Sequence, residues 1–428
     1  MADVRAFPAL RYNDSVDLAA VTCPPYDVLS ATERRALFER SPYAAVRAIL
    51  PDGEPDPASA NSRYTNAANL LSEWQKNGVL VQDSQPALYV TQTEFVEPGA
   101  TLPSIRYGLV GALRLHEYKD GVVLPHEKTL DKPKKDRLNL LRATRANVES
   151  ILCLADDDDG TLLQALMRAA KNPSIASFID EMGHKHTLHT VTDEEAARMS
   201  ALLEPRRIYI ADGHHRYETS LAYAREQNAL GSDRPEAFLL ATIVSAFDPG
   251  LSVLPTHRLV KGTPADALNS IFAHLEPVFD ILEVDVADIE SRLRVAFVNQ
   301  PVLGMVLPSG TVYQLTLRNL AALPNLLPAS VVPALHQLEP VILQYLILGP
   351  AFGLRPEEIA TTDRLAYTRD TQEAVRLVHY EGEFDAAFLL GRPAPTAVRD
   401  VSLAGEVMPQ KSTFYYPKLV SGLIMRSL

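Results

Sequence analysis

The residues best suited to chemistry follow an apolar run at 208–211, where the chain reads Asp212-Gly213-His214-His215-Arg216. This pattern predicts a buried strand that turns at the glycine into a helix. A helix N-terminus offers free backbone N–H groups and the positive end of the helix dipole, which bind anions. Arginine can hold two phosphate oxygens at once. We therefore predict a phosphate site with Asp212 and His214 as catalytic residues and Gly213, His215 and Arg216 as ligands.

Two other interpretations apply to these residues. Asp212 could be only the N-cap of the helix, with solvent-exposed histidines behind it. The adjacent histidines also suggest a transition metal, but neighbouring helical residues point about 100° apart and rarely share one ion. Asp212 could equally bind Mg²⁺ or accept a proton.

A second cluster begins after Pro125 with His126, Glu127 and Lys128 and continues to Arg145. This stretch holds seven Lys and Arg residues against three Asp and Glu residues, a local balance of +4 in a chain of net charge −12. We predict that it lines a phosphate or polyanion groove, with His126, Lys128, Arg137 and Arg142 as ligands. For the later arginines, a solvent-exposed helix face with paired charges is the alternative.

Three further segments place polar groups beside prolines. Lys411, Ser412 and Thr413 supply an ammonium and two hydroxyls, although an edge strand near the terminus is equally compatible. Asp27 follows two prolines that would hold its carboxylate, or it belongs to an ordinary loop before a helix capped at Ser30. His257 follows Pro255-Thr256 and is a further candidate anion ligand.

Helical and strand patterns alternate along the chain, which indicates an α/β or α+β protein. We expect a helix near 59–77, a strand at 207–211 and a helix at 214–227, with other strands near 87–95, 107–115, 150–155, 186–191 and 237–244. The His and Lys clusters thin out after about residue 263. We therefore predict a mixed-sheet domain at 1–262 and a C-terminal α/β domain at 263–428, with segment 405–420 a candidate to return to the site.

Composition excludes several classes of protein. The chain has 428 residues, 46% of them hydrophobic and 22% charged, which is typical of a soluble globular protein. Its net charge of −12 makes a nucleic-acid partner unlikely. Two cysteines cannot form a disulfide framework, and the N-terminus lacks the basic start and apolar stretch of a signal peptide. The most apolar window, Pro340 to Leu354, is too short and too polar to span a bilayer. We expect a cytoplasmic protein with no membrane partner. Nicotinamide-binding, α/β-hydrolase and zincin motifs do not occur in the sequence.

Six motifs, taken together, resemble those of domain of unknown function family 1015 over nearly the whole chain. They are Pro24-Pro25-Tyr26-Asp27-Val28, Leu124 to Thr129, Asp136 to Asn147, Ala211 to Thr219, Leu254 to Leu259 and Met408 to Thr413. Lys128 stands where the family usually has Arg, which keeps the charge. The Asp-Gly-His-His-Arg block resembles the phosphate-binding turn of the ParB/sulfiredoxin-like superfamily, which includes free serine kinase.

The resemblance implies phosphate chemistry loosely tied to serine, as a serine kinase-like or phosphoserine phosphatase-like enzyme. In that interpretation Lys128, His257 and Lys411 neutralise charge on the transferred group, and Glu127 or Asp27 accepts a proton. The expected partners are a phosphorylated small molecule or a nucleotide. The expected cofactor is Mg²⁺ carried by ATP, ADP or pyrophosphate.

Other interpretations stay open at this point. A nucleotide hydrolase that acts as a ParB-type switch would use the same turn. A DNA-associated adaptor is suggested by the partition proteins of the same superfamily, but the acidic composition counts against it. The sequence leaves homo-oligomerisation open.

Overall fold

The chain divides into two compact units. Unit 1 comprises Met1–Ser252 and Tyr416–Leu428, and unit 2 comprises Val253–Tyr415. The computed structural model describes residues 1–129, 131–295, 300–359 and 362–428. The two units divide between Ser252 and Val253, and the chain returns to unit 1 at Tyr416. The boundary between functional domains after residue 262 stays a prediction.

A nine-stranded mixed sheet is the centre of unit 1. In spatial order its strands are β6 (Val123–Leu124), β11 (Ile208–Asp212), β8 (Ile151–Ala155), β12 (Phe238–Ser245), β5 (Pro103–Arg114), β4 (Tyr89–Val96), β10 (Lys185–Thr190) and β9 (Ser174–Ile179), with β1 (Val4–Arg5) beside β5. Strand β11 is parallel to β6, and β12 is parallel to β8. The other described pairings in this sheet are antiparallel.

In the described residues of unit 1, eight α-helices and two small strand pairs accompany this sheet. The helices are α1 (Leu18–Val21), α2 (Ala31–Arg40), α3 (Val46–Ile49), α4 (Arg63–Lys76), α5 (Asp131–Thr144), α6 (Thr161–Ala169), α7 (Asp193–Leu203) and α8 (His214–Glu226), with 3-10 turns at Tyr118–Asp120 and Pro235–Ala237. The strand pairs are β2 (Leu10–Tyr12) with β3 (Leu80–Gln82), and β7 (Ala146–Asn147) with β21 (Arg426–Ser427).

Both faces of the large sheet are buried, because successive side chains of a strand point to opposite faces. Leu109 and Leu113 of β5 belong to one apolar cluster, which also contains Leu166 of α6 and Leu221 of α8. Their neighbour Val110 belongs to a second cluster on the opposite face. The middle of the sheet is therefore packed on both faces.

Unit 2 contains a six-stranded antiparallel sheet. Its strands in spatial order are β15 (Phe279–Val284), β17 (Val312–Leu317), β16 (Val302–Val306), β19 (Ala386–Leu389), β14 (His257–Val260) and β18 (Leu365–Thr368). Its helices are α9 (Ala265–Asn269), α10 (Ile271–Leu275), α11 (Val286–Val295), α12 (Leu323–Leu326), α13 (Glu339–Leu343), α14 (Gly349–Phe352), α15 (Thr371–Val375) and α16 (Pro395–Leu403). Gln344–Leu348 and Arg376–Tyr380 are π-helical, and Leu320–Ala322 and Pro333–Leu335 are 3-10 turns. Strands β13 (Ser252–Leu254) and β20 (Phe414–Tyr416) lie where the chain passes between the units.

The predicted mixed α/β class is confirmed, with a large mixed sheet and a second antiparallel sheet. The predicted strand and helix around Gly213 correspond to β11 and α8, and the helix near 59–77 is α4 at Arg63–Lys76. Strand β9 was not predicted. It lies at the edge of the sheet with mostly half-exposed side chains, so it lacks the apolar alternation that marks a buried strand.

The last residues of the chain are an integral part of unit 1. Arg426 is buried and donates to the Asn147 Oδ1 at 3.3 Å, the Phe238 carbonyl at 3.1 Å and the Pro235 carbonyl at 2.9 Å. Leu423 and Ile424 pack into the cluster that contains Val110. One guanidinium therefore ties β21 to two other segments of the unit.

We expect Arg426→Met to lower the free energy of unfolding by about 2–4 kcal/mol, because three acceptors, two of them in buried hydrogen bonds, lose a charged donor. The measurement is a urea titration followed by circular dichroism. Arg35→Met is the control, since Arg35 pairs with Glu39 at the surface with 83% of its side chain exposed, and it should change stability by less than about 0.5 kcal/mol. Equal effects of the two substitutions would contradict the role given to Arg426.

Candidate functional site

The turn between β11 and α8 is built around Gly213. Its φ of +98° is in the left-handed region that glycine adopts readily. A β-carbon at this position would lie 2.7 Å from the Cγ2 of Ile151 and 3.1 Å from the Nε of Arg216. Among the described residues, no side chain caps the N-terminus of α8. The turn therefore presents a helix N-terminus without the usual capping oxygen.

Asp212, at the end of β11, forms ion pairs with two cationic side chains. Its Oδ2 accepts from the Nη2 of Arg216 at 2.9 Å, and its Oδ1 is paired with the Nζ of Lys418. Burial alone would raise the pKa of the Asp212 carboxyl, but the charges of Lys418 and Arg216 outweigh it and hold that pKa at about 2. The three groups therefore carry a net charge of +1 at neutral pH.

In the described part of the chain, one of the three guanidinium nitrogens of Arg216 makes no hydrogen bond. Its Nη1 donates to the Ser150 carbonyl at 2.5 Å, and its Nη2 donates to Asp212. Its Nε is buried and has no hydrogen-bond partner among the described residues. Burial opposes the charge of Arg216, but Glu149 and Asp212 hold its pKa above the ordinary value. A buried, charged donor beside an uncapped helix end fits an anionic ligand.

His126 and His214 form a buried pair behind this turn. The His126 Nδ1 donates to the Ile210 carbonyl at 2.7 Å, and the His214 Nε2 accepts from the backbone N–H of His126 at 3.2 Å. Their ring centroids are 4.7 Å apart in an edge-to-face arrangement. Burial lowers the pKa of His126 to about 4 and that of His214 well below its ordinary value. Both rings are therefore neutral at pH 7.

The loop after β6 lies at the same edge of the sheet, because β6 and β11 are parallel. In this loop Glu127 is half-buried and Lys128 is exposed. His215, on α8, is also half-buried, and burial lowers its pKa. The carboxylate of Asp27 is exposed, and its charge acts on both Arg216 and His215. These placements bring the first two predicted clusters to one edge of unit 1.

The arginines of α5 are engaged in ion pairs. Arg137 is buried, donates to the Ile49 carbonyl at 2.7 Å and to Asp136 at 2.6 Å, and lies 4.4 Å over the ring of Tyr26. The Nη2 of Arg142 pairs with Glu226 at 2.5 Å at the surface. Their predicted role as phosphate ligands stays a prediction.

The remaining predicted ligands lie in unit 2. His257 is buried, its Nδ1 accepts from the backbone N–H of Leu390 at 3.1 Å, and burial lowers its pKa to about 4. Ser412 donates to the Pro409 carbonyl at 2.6 Å, Lys411 is exposed with a φ of +56°, and Thr413 is half-buried. Their predicted roles at the phosphate site stay predictions.

Sequence analysis did not select Lys418 and Glu149 as site residues. Lys418 is 206 positions from Asp212, so no local pattern connects them. Glu149 is buried, and its Oε1 accepts from the Tyr26 backbone N–H and the Ser421 hydroxyl, each at 3.1 Å. Burial raises the pKa of Glu149, although Arg216 and Arg137 oppose the shift. The sequence signal for Glu149 was an acidic residue two positions before the apolar strand β8.

The structure thus defines a mixed α/β protein with a strand–glycine–helix turn suited to anions. Residues 4–339 match the family described as protein of unknown function (DUF1015), and the chain belongs to that family. No curated protein matches the chain by sequence. In the described part of the chain, every helix is too short or too polar to cross a membrane.

Solved structures similar to this chain have low sequence identity. A conserved hypothetical protein from Pyrococcus furiosus is 15% identical, with 73% of this chain and 92% of that chain covered and a TM-score of 0.34. Free serine kinase in complex with AMP is 14% identical, with 72% and 86% covered and a TM-score of 0.35. SbnI with C-terminal truncation, from Staphylococcus aureus, is 9% identical, with 74% and 81% covered and a TM-score of 0.34. At these TM-scores the structural similarities carry no information about the residues of the site.

The neutral pair His126–His214 makes stability depend on pH. A histidine whose folded pKa of about 4 is below the unfolded value of about 6.5 stabilises the fold fully above pH 6.5. That contribution is lost as the pH falls from 6.5 toward 4, because the unfolded chain takes up the proton first. We expect His126→Asn, which keeps a donor for the Ile210 carbonyl, to reduce the stability difference between pH 7.5 and pH 5 by about 1–2 kcal/mol.

The measurement is urea unfolding at both pH values. His274→Asn is the control, because His274 is exposed. A pH difference that is the same in wild type and in His126→Asn would contradict the buried neutral pair.

Proposed function

We propose that this chain is a phosphoryl-transfer enzyme that binds a nucleotide or another phosphorylated small molecule at the turn between β11 and α8. The observation that carries the proposal is the uncapped N-terminus of α8 beside the buried Nε of Arg216, which has no hydrogen-bond partner among the described residues. Backbone N–H groups and a guanidinium donor together match the oxygens of a phosphate.

The charges around the turn support the same proposal. Asp212 pairs with both Arg216 and Lys418. The two cations are therefore held in place before a ligand binds, and preorganised cations stabilise a developing phosphoryl charge. Because His126 and His214 are neutral, they position the turn, and the charge comes from Arg216 and Lys418.

A proton acceptor is needed for an attacking hydroxyl or water. We propose Asp27 for this role, since its carboxylate is exposed and its charge acts on Arg216 and His215. Glu127, half-buried in the loop beside the turn, is the other candidate. The substrate we propose is a small hydroxy amino acid, serine or phosphoserine, as the family resemblance implies.

Mg²⁺ fits this site only as a partner of the phosphates. Both carboxylate oxygens of Asp212 already contact cationic side chains, so Asp212 has little capacity left for a metal ion. The carboxylate of Asp27 is exposed, and its charge acts on Arg216 in this turn. Mg²⁺ brought by ATP, ADP or pyrophosphate would neutralise phosphate oxygens, with most of its ligands from the phosphates and water.

Turnover is tested by phosphorus NMR. The protein is incubated with L-serine and Mg²⁺ plus ATP, ADP or pyrophosphate, and separately with phosphoserine. We expect formation of phosphoserine in one of the first mixtures, or release of phosphate in the last. Absence of turnover in all of them would contradict the serine assignment. Hydrolysis of ATP at the same rate without serine would instead favour a nucleotide hydrolase.

Binding is tested separately by calorimetry with ADP, using Arg216→Lys. This substitution keeps a positive charge but removes the Nε donor and the planar guanidinium. We expect ADP to bind about 10- to 100-fold more weakly, the equivalent of one charge-assisted hydrogen bond.

Arg225→Lys is the matched control, because Arg225 lies in the last turn of the same helix and pairs with Glu117 at the surface. It should bind ADP like the wild type. Arg225→Lys should unfold at nearly the wild-type temperature, and circular dichroism at the temperature of the titration checks that Arg216→Lys is folded. Equal ADP affinity in Arg216→Lys and the wild type would remove Arg216 from the proposed site.

A further inference from the structure

A second polar cluster lies at the opposite edge of the large sheet, in the turn between β9 and β10. It consists of Asp180, His184 and His186. The Oδ2 of Asp180 is 3.1 Å from the Nδ1 of His184 and 2.9 Å from the Nε2 of His186. The three candidate ligand atoms all lie within 4.8 Å of one another.

The backbone of the turn fixes the orientation of Asp180. Its Oδ1 accepts the backbone N–H groups of Met182 and His184, each at 2.9 Å. Its Oδ2 is therefore left to face the two imidazole rings. A carboxylate held in this way presents one oxygen, with little freedom to rotate, to a shared point between two ring nitrogens.

Both rings are held as well. The Nε2 of His184 lies 2.9 Å from the hydroxyl of Tyr416, and His186 stacks on Phe178 with ring centroids 5.0 Å apart. Only 6% and 5% of the His184 and His186 side chains are exposed, against 23% for Asp180. The cluster is thus nearly buried and opens to solvent on the side of the carboxylate.

We propose that Asp180, His184 and His186 bind one divalent transition-metal ion of the Zn²⁺ type, through Oδ2, Nδ1 and Nε2 respectively. Bonds of about 2.0–2.1 Å at tetrahedral angles place ligand atoms about 3.3 Å apart. The two measured separations of 3.1 Å and 2.9 Å are close to this value. Two imidazoles favour Zn²⁺ or Co²⁺ over Mg²⁺ and Ca²⁺, which prefer oxygen ligands.

The hydroxyl of Tyr416 suits both states of such a site. The Nδ1 of His184 donates to the Asp180 carboxylate, and its Nε2 lies 2.9 Å from the Tyr416 hydroxyl. With metal on Nδ1, the N–H at Nε2 would donate to that hydroxyl oxygen, which is how the second ring nitrogen of a metal-bound histidine is usually held.

A cleft in unit 1 reaches this cluster. Its lining includes His186 and Thr187 of β10, Gln92 of β4, Arg106 of β5 and Lys418. Three protein ligands leave a fourth position for water or a ligand in a tetrahedral site. The partly exposed carboxylate of Asp180 gives that position a route to solvent.

The test uses the full-length protein after treatment with EDTA and dialysis. ZnCl₂ is titrated by calorimetry at pH 7.5, and CoCl₂ is titrated while the visible absorption of bound Co²⁺ is followed. We expect one ion per chain with micromolar or tighter affinity. His186→Asn and Asp180→Asn should each weaken Zn²⁺ binding at least about 100-fold, since each removes one of three ligands. Tyr416→Phe should weaken it about 10- to 100-fold.

His274→Asn is the control for adventitious binding, because His274 is an exposed histidine away from the cluster. It should bind Zn²⁺ like the wild type. Circular dichroism of each metal-free variant checks that it is folded. No Zn²⁺ binding by the wild type, or the same affinity in the wild type, Asp180→Asn and His186→Asn, would overturn the proposal and leave Asp180 as a hydrogen-bond acceptor for two histidines.

Discussion

The structure of the edge around Gly213 depends on one half-buried carboxylate, that of Asp212, which is shared by two cationic side chains. The charges of Lys418 and Arg216 keep the pKa of Asp212 low, and the carboxylate in turn helps to hold the pKa of Arg216 above its ordinary value. The guanidinium of Arg216 also packs against Gly213, where a β-carbon would crowd it. The same carboxylate therefore connects the turn, the first helical residues and the segment that contains Lys418.

Local sequence patterns were sufficient to predict the strand and the helix around this edge, but they did not predict the balance of charges near it. The apolar run, the glycine and the following helix lie within twenty residues of each other, and they form β11 and α8 as expected. The positive stretch that ends at Arg145 was counted along the chain. In the structure, acids outside that stretch pair with it, for example Glu218 with Lys134 and Glu226 with Arg142. A charge count along the sequence therefore omits the acidic partners that come close only when the chain folds.

Histidines in this chain show how environment decides the role of one residue type. The adjacent pair His214-His215 drew attention in the sequence, yet the two residues lie on different sides of α8, and His214 is a neutral hydrogen-bond acceptor. His184 and His186 are separated by one residue at the start of a strand, where alternate side chains share a face. For the proposed metal site, the useful signal in the sequence is therefore the His-x-His spacing of His184 and His186, with Asp180 four residues before His184.

The two edges of the large sheet are connected through a short piece of backbone. Tyr416 contacts His184, and Lys418 contacts Asp212, so the residues that serve the two clusters are only two positions apart. Arg106 is buried and donates to the Pro417 carbonyl at 2.8 Å, which fixes the segment between them. The Asp180 cluster and the Gly213 turn therefore each take one side chain from the same short segment, although no residue belongs to both.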